Sequence, residues 1–444
     1  MRGMFRFKSN SAMSMAVAAG LALAGFTISA APAEAQKRVS NSKEFVAAAA
    51  PLQKKVDELE QLRASGASDA QINAAVVETM PIAEAAVAAA SNAQDQLLAG
   101  QFLVTLGGLN GDLALRQRGA QLMIDSGRLD ATQVPQFQFY LGNFAYGAKD
   151  YQTAAQALKT ASDMGFEHEQ LVPLMMQAYG QAGRAQEGLA VAMQTMKARK
   201  AAGQPIPEDW ISRANVVAYN AKMGPEAIAF STMLVEEHPS NFNWLASTQM
   251  VRTFGGLDPQ ATLDLFRLMD RSGALDNDAQ YVSNEYKEYI ETADPRKNPG
   301  EVADLISRGI AKGKLDVSDT WVAESRTNAA GRVAADKASL PGLVKEAKSA
   351  ANGRTAIIAG DVALNYGESA QAAEMYELAL QKGGVDADLA QMRLGIAHYD
   401  MGNHGGASEA FAKVNGPRQN VARLWQALIA SKRAAPAAAA PAAS

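Results

Sequence analysis

The 444-residue chain contains no cysteine. That excludes a disulfide framework, a thiolate zinc site, a thiol nucleophile and lipid attachment through an N-terminal cysteine. Histidine is almost as scarce: His168, His238, His398 and His404 are the whole supply, none lies in an H-E-x-x-H pattern, and none has a second metal ligand at helical spacing. Neither a metal site nor a cofactor is expected. There is no excess of positive charge, since 42 Lys and Arg face 46 Asp and Glu for a formal charge of −4. Nucleic acid is therefore not expected as the main partner. Alternating apolar and polar residues, the mark of a half-buried strand, are missing throughout. What is present is a 48% hydrophobic chain with 36 Gly and 16 Pro, close to ordinary usage, which describes a folded protein rather than a collagenous or disordered one.

The first 35 residues read as an export signal. Arg2, Arg6 and Lys8 precede an apolar run from Ala12 to Ala31, and Ala33-Glu34-Ala35 supplies the small-x-small pattern of a signal-peptidase site. Cleavage is expected after Ala35, with a periplasmic or secreted product. No later segment reads as long and apolar enough to span a bilayer, so no stable membrane insertion is expected after cleavage. Residues 434–444 form an Ala/Pro-rich, low-complexity tail.

Self-comparison supplies the architecture. Gly360, Gly367, Ala372 and Tyr376 recur 35 residues later as Gly395, Gly402, Ala407 and Phe411. With Leu394-Gly395, Ala407-x₃-Phe411 and Pro417, the segment resembles the tetratricopeptide repeat (TPR) family of helix-turn-helix units. Leu141-Gly142, Tyr151 and Ala154-x₃-Leu158 fit the same frame upstream, followed by Tyr179 and Gly183. Gln138 and Gln391 stand where the family has Trp, and Gly188 replaces its small Ala, so the array is degenerate. The expectation is an all-α, helical-hairpin solenoid, a TPR-like superhelix. Its parts are an N-terminal helical cap over 36–131, degenerate repeats over 132–352, and C-terminal repeats with a capping helix over 353–433.

Local signals place individual helices. Phe45, Ala49, Leu52, Val56 and Leu59 form a short heptad-like seam, interrupted at Pro51. Ser68 with Gln71, Ser91 with Gln94, and Asn298-Pro299 with Glu301 have capping-box spacing, and Asp258-Pro259 marks another helix start. Leu263, Phe266, Leu268 and Met269, then Val302, Leu305, Ile306 and Ile310, each make one buried stripe.

Motifs for chemistry fail on inspection. Gly309 to Lys314 lacks the length, the final Ser/Thr and the preceding strand of a phosphate loop, and is expected to be a helix end. Asp276, Asp278 and Gln280 lack the Gly and distal Glu of a calcium loop and suit a helix cap. Glu324-Ser325 matches the catalytic dipeptide of lytic transglycosylases in letters only, and no nucleophile elbow exists.

The TPR resemblance implies a noncatalytic scaffold binding a peptide or helix of another cell-envelope protein. It also implies that the first helix of each pair lines the binding groove. The corresponding residues are Phe139, Asn143, Tyr146, Gln177, Trp210, Arg213, Asn220, Arg393 and Tyr399. Trp210 and Arg213, three apart on one helix face, combine the residue types in which binding energy concentrates. The rival expectations are a cell-wall hydrolase of lytic transglycosylase type using Glu324, and a structural oligomer self-associating through the N-terminal helices.

Overall fold

The computed structural model describes residues 40–278 and 281–434. The expected signal segment, Gln280 and the tail beyond residue 434 lie outside the described residues. Among the described residues every regular element is an α-helix or a short 3₁₀ turn, and none is a strand. The chain divides into two compact units, Met1–Thr195 and Met196–Ser444. That division differs from the expected boundaries at 131/132 and 352/353.

The first unit contains α1 (Lys43–Ala64), α2 (Asp69–Ala89), α3 (Ala93–Asn110), α4 (Leu113–Asp125), α5 (Val134–Gly147), α6 (Tyr151–Asp163), α7 (Leu171–Gln181) and the start of α8 (Ala185–Ala201). The α1 seam buries Phe45, Leu52, Val56 and Leu59 as expected, but Pro51 does not interrupt the helix. Pro51 is exposed, so water can serve the carbonyl its missing N–H leaves unpaired. Ser68 and Gln71 form the expected capping box. The expected Ser91 cap is corrected: Asn92 caps α3 by accepting from the Gln94 and Asp95 N–H groups. Ser91 instead donates to Asp95, whose buried carboxylate also accepts from the Ser42 N–H at 3.0 Å and hydroxyl at 2.8 Å. One carboxylate thereby ties the start of α1 to the start of α3.

The view that nothing beyond residue 35 has the make-up of a membrane span is also corrected. α2 is long and apolar enough, with a mean hydropathy of 1.3. Only 28% of that stretch is buried: Ile72 and Val76 lie fully buried in the core shared with α1 and α3, whereas Val77 is exposed.

The second unit comprises the rest of α8, then α9 (Glu208–Asn220), α10 (Gly224–Glu237), α11 (Asn241–Phe254), α12 (Pro259–Arg271), α13 (Val282–Ala293), α14 (Pro299–Ala311), α15 (Thr320–Ser349), α16 (Arg354–Asn365), α17 (Ser369–Lys382), α18 (Ala387–Asp400), α19 (His404–Phe411) and α20 (Gln419–Ala434). Residues 208–311 therefore form three regular hairpins, and α15 follows as a single helix of 30 residues. An ideal solenoid repeat touches only its neighbours. This unit does more, because α20 packs back onto α10 and α12 while α18 meets α12.

Two devices build the hairpins. The first is a left-handed residue at the turn: Lys149 (φ 67°) and Lys222 (φ 57°) occupy it as well as Gly183, Gly256, Gly367 and Gly402. The second pairs a position on the first helix with one sixteen residues later on the second. A Cβ on Gly395 would stand 2.5 Å from the Phe411 ring, one on Gly360 2.7 Å from the Tyr376 ring, and one on Gly142 2.5 Å from Leu158 Cγ. At the same separation in α9–α10 the pair is polar, with Asn215 Nδ2 donating to the buried Ser231 hydroxyl at 2.9 Å.

Two further capping expectations are corrected. Asn298 does not cap α14 with its side chain, which donates to the Ala293 carbonyl at 2.6 Å. Asp276 and Asp278 do not cap α13 either: they hold Lys312 and Lys314, and Tyr281 starts that helix with no side-chain cap. Gly309 to Lys314 is the end of α14, as expected, turning at Gly313 (φ 66°).

Gly395→Ala should therefore cost about 1–3 kcal/mol despite alanine's better helix propensity, because the new methyl meets the Phe411 ring. Gly331→Ala, in open space on α15, should instead stabilise by up to about 1 kcal/mol. Urea unfolding followed by circular dichroism checks the opposite signs.

Candidate functional site

In the first unit α5 and α7 open successive hairpins, and the structure brings three expected binding residues together on them. Asn143 and Gln177 stand 34 residues apart at equivalent positions, both half-buried. Between the helices the half-buried Tyr146 hydroxyl lies 3.3 Å from Gln177 Oε1 and donates to it. The row presents an aromatic face, an amide and a carboxamide, groups suited to a peptide backbone or an apolar side chain. Phe139 is not part of it. At 2% exposure it belongs to the core, its ring centroid 5.3 Å from Phe166 and 4.5 Å from His168.

The second unit holds the other five, and two of them are buried. Trp210 packs the start of α9 at 7% exposure, with the Arg199 guanidinium over its ring at 5.3 Å. The expected Trp210–Arg213 hot spot is corrected accordingly: the indole is a core group, and Arg213 pairs with Asp209 one turn earlier at 2.7 Å. Asn220 is exposed at the end of α9. Tyr399 is half-buried, edge-on to Trp425 at 5.1 Å and stacked on His404 at 5.5 Å.

Arg393, expected in a groove, is 2% exposed and sits in a polar cluster inside the second unit. Its Nη1 donates to Asp361 Oδ2 at 2.6 Å, its Nη2 to Gln260 Oε1, and its Nε lies 3.5 Å from Asp264 Oδ1. Asp361 also accepts from the Tyr376 hydroxyl at 2.8 Å. Asp264 passes the cluster on to Arg267, which donates to it at 3.0 Å and grips Glu301 through two bonds of 2.9 and 2.7 Å. Tyr289 completes the shell by donating to Glu301 at 2.6 Å. The physical reason for the correction is charge balance. A guanidinium entering this interior finds fixed carboxylates from α12, α14 and α16, and pairing satisfies buried charge that would otherwise be costly.

The cluster has uneven electrostatics. Burial pushes the Asp264 carboxyl up, against the pull of Arg393 and Arg267. Burial also works to raise Glu301, but the charge and hydrogen bonds of Arg267, then the Tyr289 hydroxyl, outweigh it and hold that carboxyl at about 2. Asp264, Arg267 and Glu301 were absent from the expected site. A signal existed for the first two, an opposite-charge pair three apart inside the apolar stripe of Leu263, Phe266, Leu268 and Met269.

Among the described residues no group of three His, Asp or Glu side chains could hold a metal ion. Glu324 is exposed on α15. No family model matches the chain, and no curated protein matches it in sequence. Among solved structures it is similar to a chain of the complex described as "Structure of Naa15/Naa10 bound to HypK-THB", at 11% identity and a TM-score of 0.25, covering 86% of this chain and 67% of that one. So loose an overlap pairs no residue here with a residue there.

The Glu301 carboxyl yields a pH test. Its folded value, about 2, lies below its ordinary 4.5, so its contribution is complete above about 4.5 and lost as pH falls towards 2. Glu301→Gln should cost about 3 kcal/mol at pH 7. Urea midpoints at pH 7, 5 and 3 should show the gap between variant and wild type narrowing only on the acid side.

Proposed function

We propose that the protein is an exported, noncatalytic TPR-like scaffold that holds a peptide or helix of another cell-envelope protein. The observation that carries the binding reading is the Asn143–Tyr146–Gln177 row on α5 and α7. Successive first helices offer these groups at one repeat spacing, so an extended or helical ligand lying across them meets the same chemistry twice. Export rests on the sequence alone: three basic residues, the apolar run and Ala33-Glu34-Ala35. Exposed Asn220 and half-buried Tyr399 belong to the second unit and are not needed for this row.

The test is affinity capture from an envelope extract with the protein recovered from the periplasm, whose intact mass should begin at Gln36. Asn143→Ala with Gln177→Ala should weaken capture by tenfold or more while leaving the melting temperature nearly unchanged, the behaviour of an interface hot spot. Capture that survives the double substitution removes this row as the binding face. Peptidoglycan clearing in a zymogram that disappears in Glu324→Gln would replace the scaffold with a cell-wall hydrolase.

A further inference from the structure

α15 is 30 residues long and buries only Val322, Ser325, Ala329 and Ala347, all on one side. Its opposite side is exposed over its whole length. A solvent-facing helix surface normally carries long charged side chains. Here Glu324 and Lys345 mark the two ends of the outward face, and between them it shows Thr327, Gly331, Ala334, Ala335, Ala338 and Gly342. Arg326, Arg332 and Lys337 point to its flanks by helical spacing. A Cβ on Gly331 or Gly342 would meet no atom within 4 Å. Neither Glu324 nor Lys345 forms an ion pair within the described chain, although Lys337 and Lys348 on the same helix pair with Glu368 and Glu374.

The order of residues along this face is its own complement. Laid antiparallel on itself with the two-fold between Ala334 and Ala335, Glu324 of one copy falls opposite Lys345 of the other, and the reverse pair forms at the far end. The two charges are separated by 21 residues, about 30 Å of helix, so both ion pairs form together only in this register. Between them Thr327 faces Gly342 and Gly331 faces Ala338. Contacts between such small residues let helix axes approach to about 8 Å, close enough for the end charges to meet. An isologous two-fold contact of this kind closes at two copies.

We propose that α15 is a self-association surface, pairing antiparallel with α15 of a second copy of this chain through two Glu324–Lys345 ion pairs. The contact lies in the second unit and uses none of the residues of the Asn143–Tyr146–Gln177 row. A single-helix interface is small, so association should be on the order of micromolar.

Sedimentation velocity of the purified protein, from about 1 to 100 micromolar, should show a reversible monomer–dimer equilibrium. Glu324→Lys alone and Lys345→Glu alone should each weaken it roughly tenfold, because each places like charges together at both ends. Mixing the two single variants should restore dimer, since every contact in the mixed pair is then opposite in sign. Both substituted side chains are exposed, so folding is not at stake. The cysteine-free chain permits a second reading: Ala334→Cys, beside the two-fold, should cross-link under mild oxidation, whereas Thr327→Cys alone should not. A monomer throughout the range, or a dimer whose stability ignores both charge reversals, overturns the proposal. Association only with some other protein, with no self-pairing, does so equally.

Discussion

A two-helix hairpin has one apolar face that it cannot cover by itself, and the arrangement of this chain follows from that constraint. Each hairpin must first close, which requires a position without a side chain opposite a large one, as where Gly395 admits the Phe411 ring. It must then find a neighbour. Between the last hairpins and α20 the aromatic groups do both tasks: the Phe411 and Trp425 rings stack at 5.5 Å, so the residue that locks one hairpin also meets the next helix.

In the second unit the same constraint extends beyond sequence neighbours. α12 is covered by α18 and α20, more than a hundred residues away in the chain, and the contact is charged as well as apolar. Arg271 holds Asp400 through two bonds of 3.1 and 2.8 Å, and Arg418 reaches Asp258 at 2.9 Å. The two bonds of Arg271 to Asp400 fix both distance and direction between α12 and α18, and the single bond of Arg418 ties the turn before α20 to the start of α12. The buried Arg393 cluster sets two guanidiniums, Arg393 and Arg267, against the three carboxyls of Asp264, Asp361 and Glu301, and burial pushes Asp264 up among them.

Much of this was legible locally, and the failures have physical reasons. Helix class, the Ser68–Gln71 box and the Asp258 cap depend on residues within one turn and were read correctly. The repeat frame faded between 208 and 350 because its marks changed identity: Lys222 takes the left-handed turn that Gly367 and Gly402 hold in the C-terminal hairpins, and Asn215–Ser231 replaces a glycine-and-ring pair. Glu301 has the spacing of a capping residue, yet its partners Arg267 and Asn365 lie 34 and 64 residues away. Arg393 misled for the same reason, since nothing near it in sequence shows that Asp361 and Gln260 are waiting. Of the candidate binding row, Asn143 and Gln177 were accessible to periodicity alone, whereas the inward turn of Phe139 depended on Phe166 and His168 arriving from the next loop.

The return of α18 and α20 onto α12 also orders events in time. Hairpins such as α9–α10 join residues sixteen positions apart and can form as soon as both helices exist. The Arg271–Asp400 and Arg418–Asp258 contacts close loops of 129 and 160 residues, a slow step that must follow the local ones. A chain delivered from its N-terminus therefore holds α12 with one flank uncovered until Trp425 and its helix arrive. During that interval the uncovered flank is open to a chaperone, a protease or another unfinished copy.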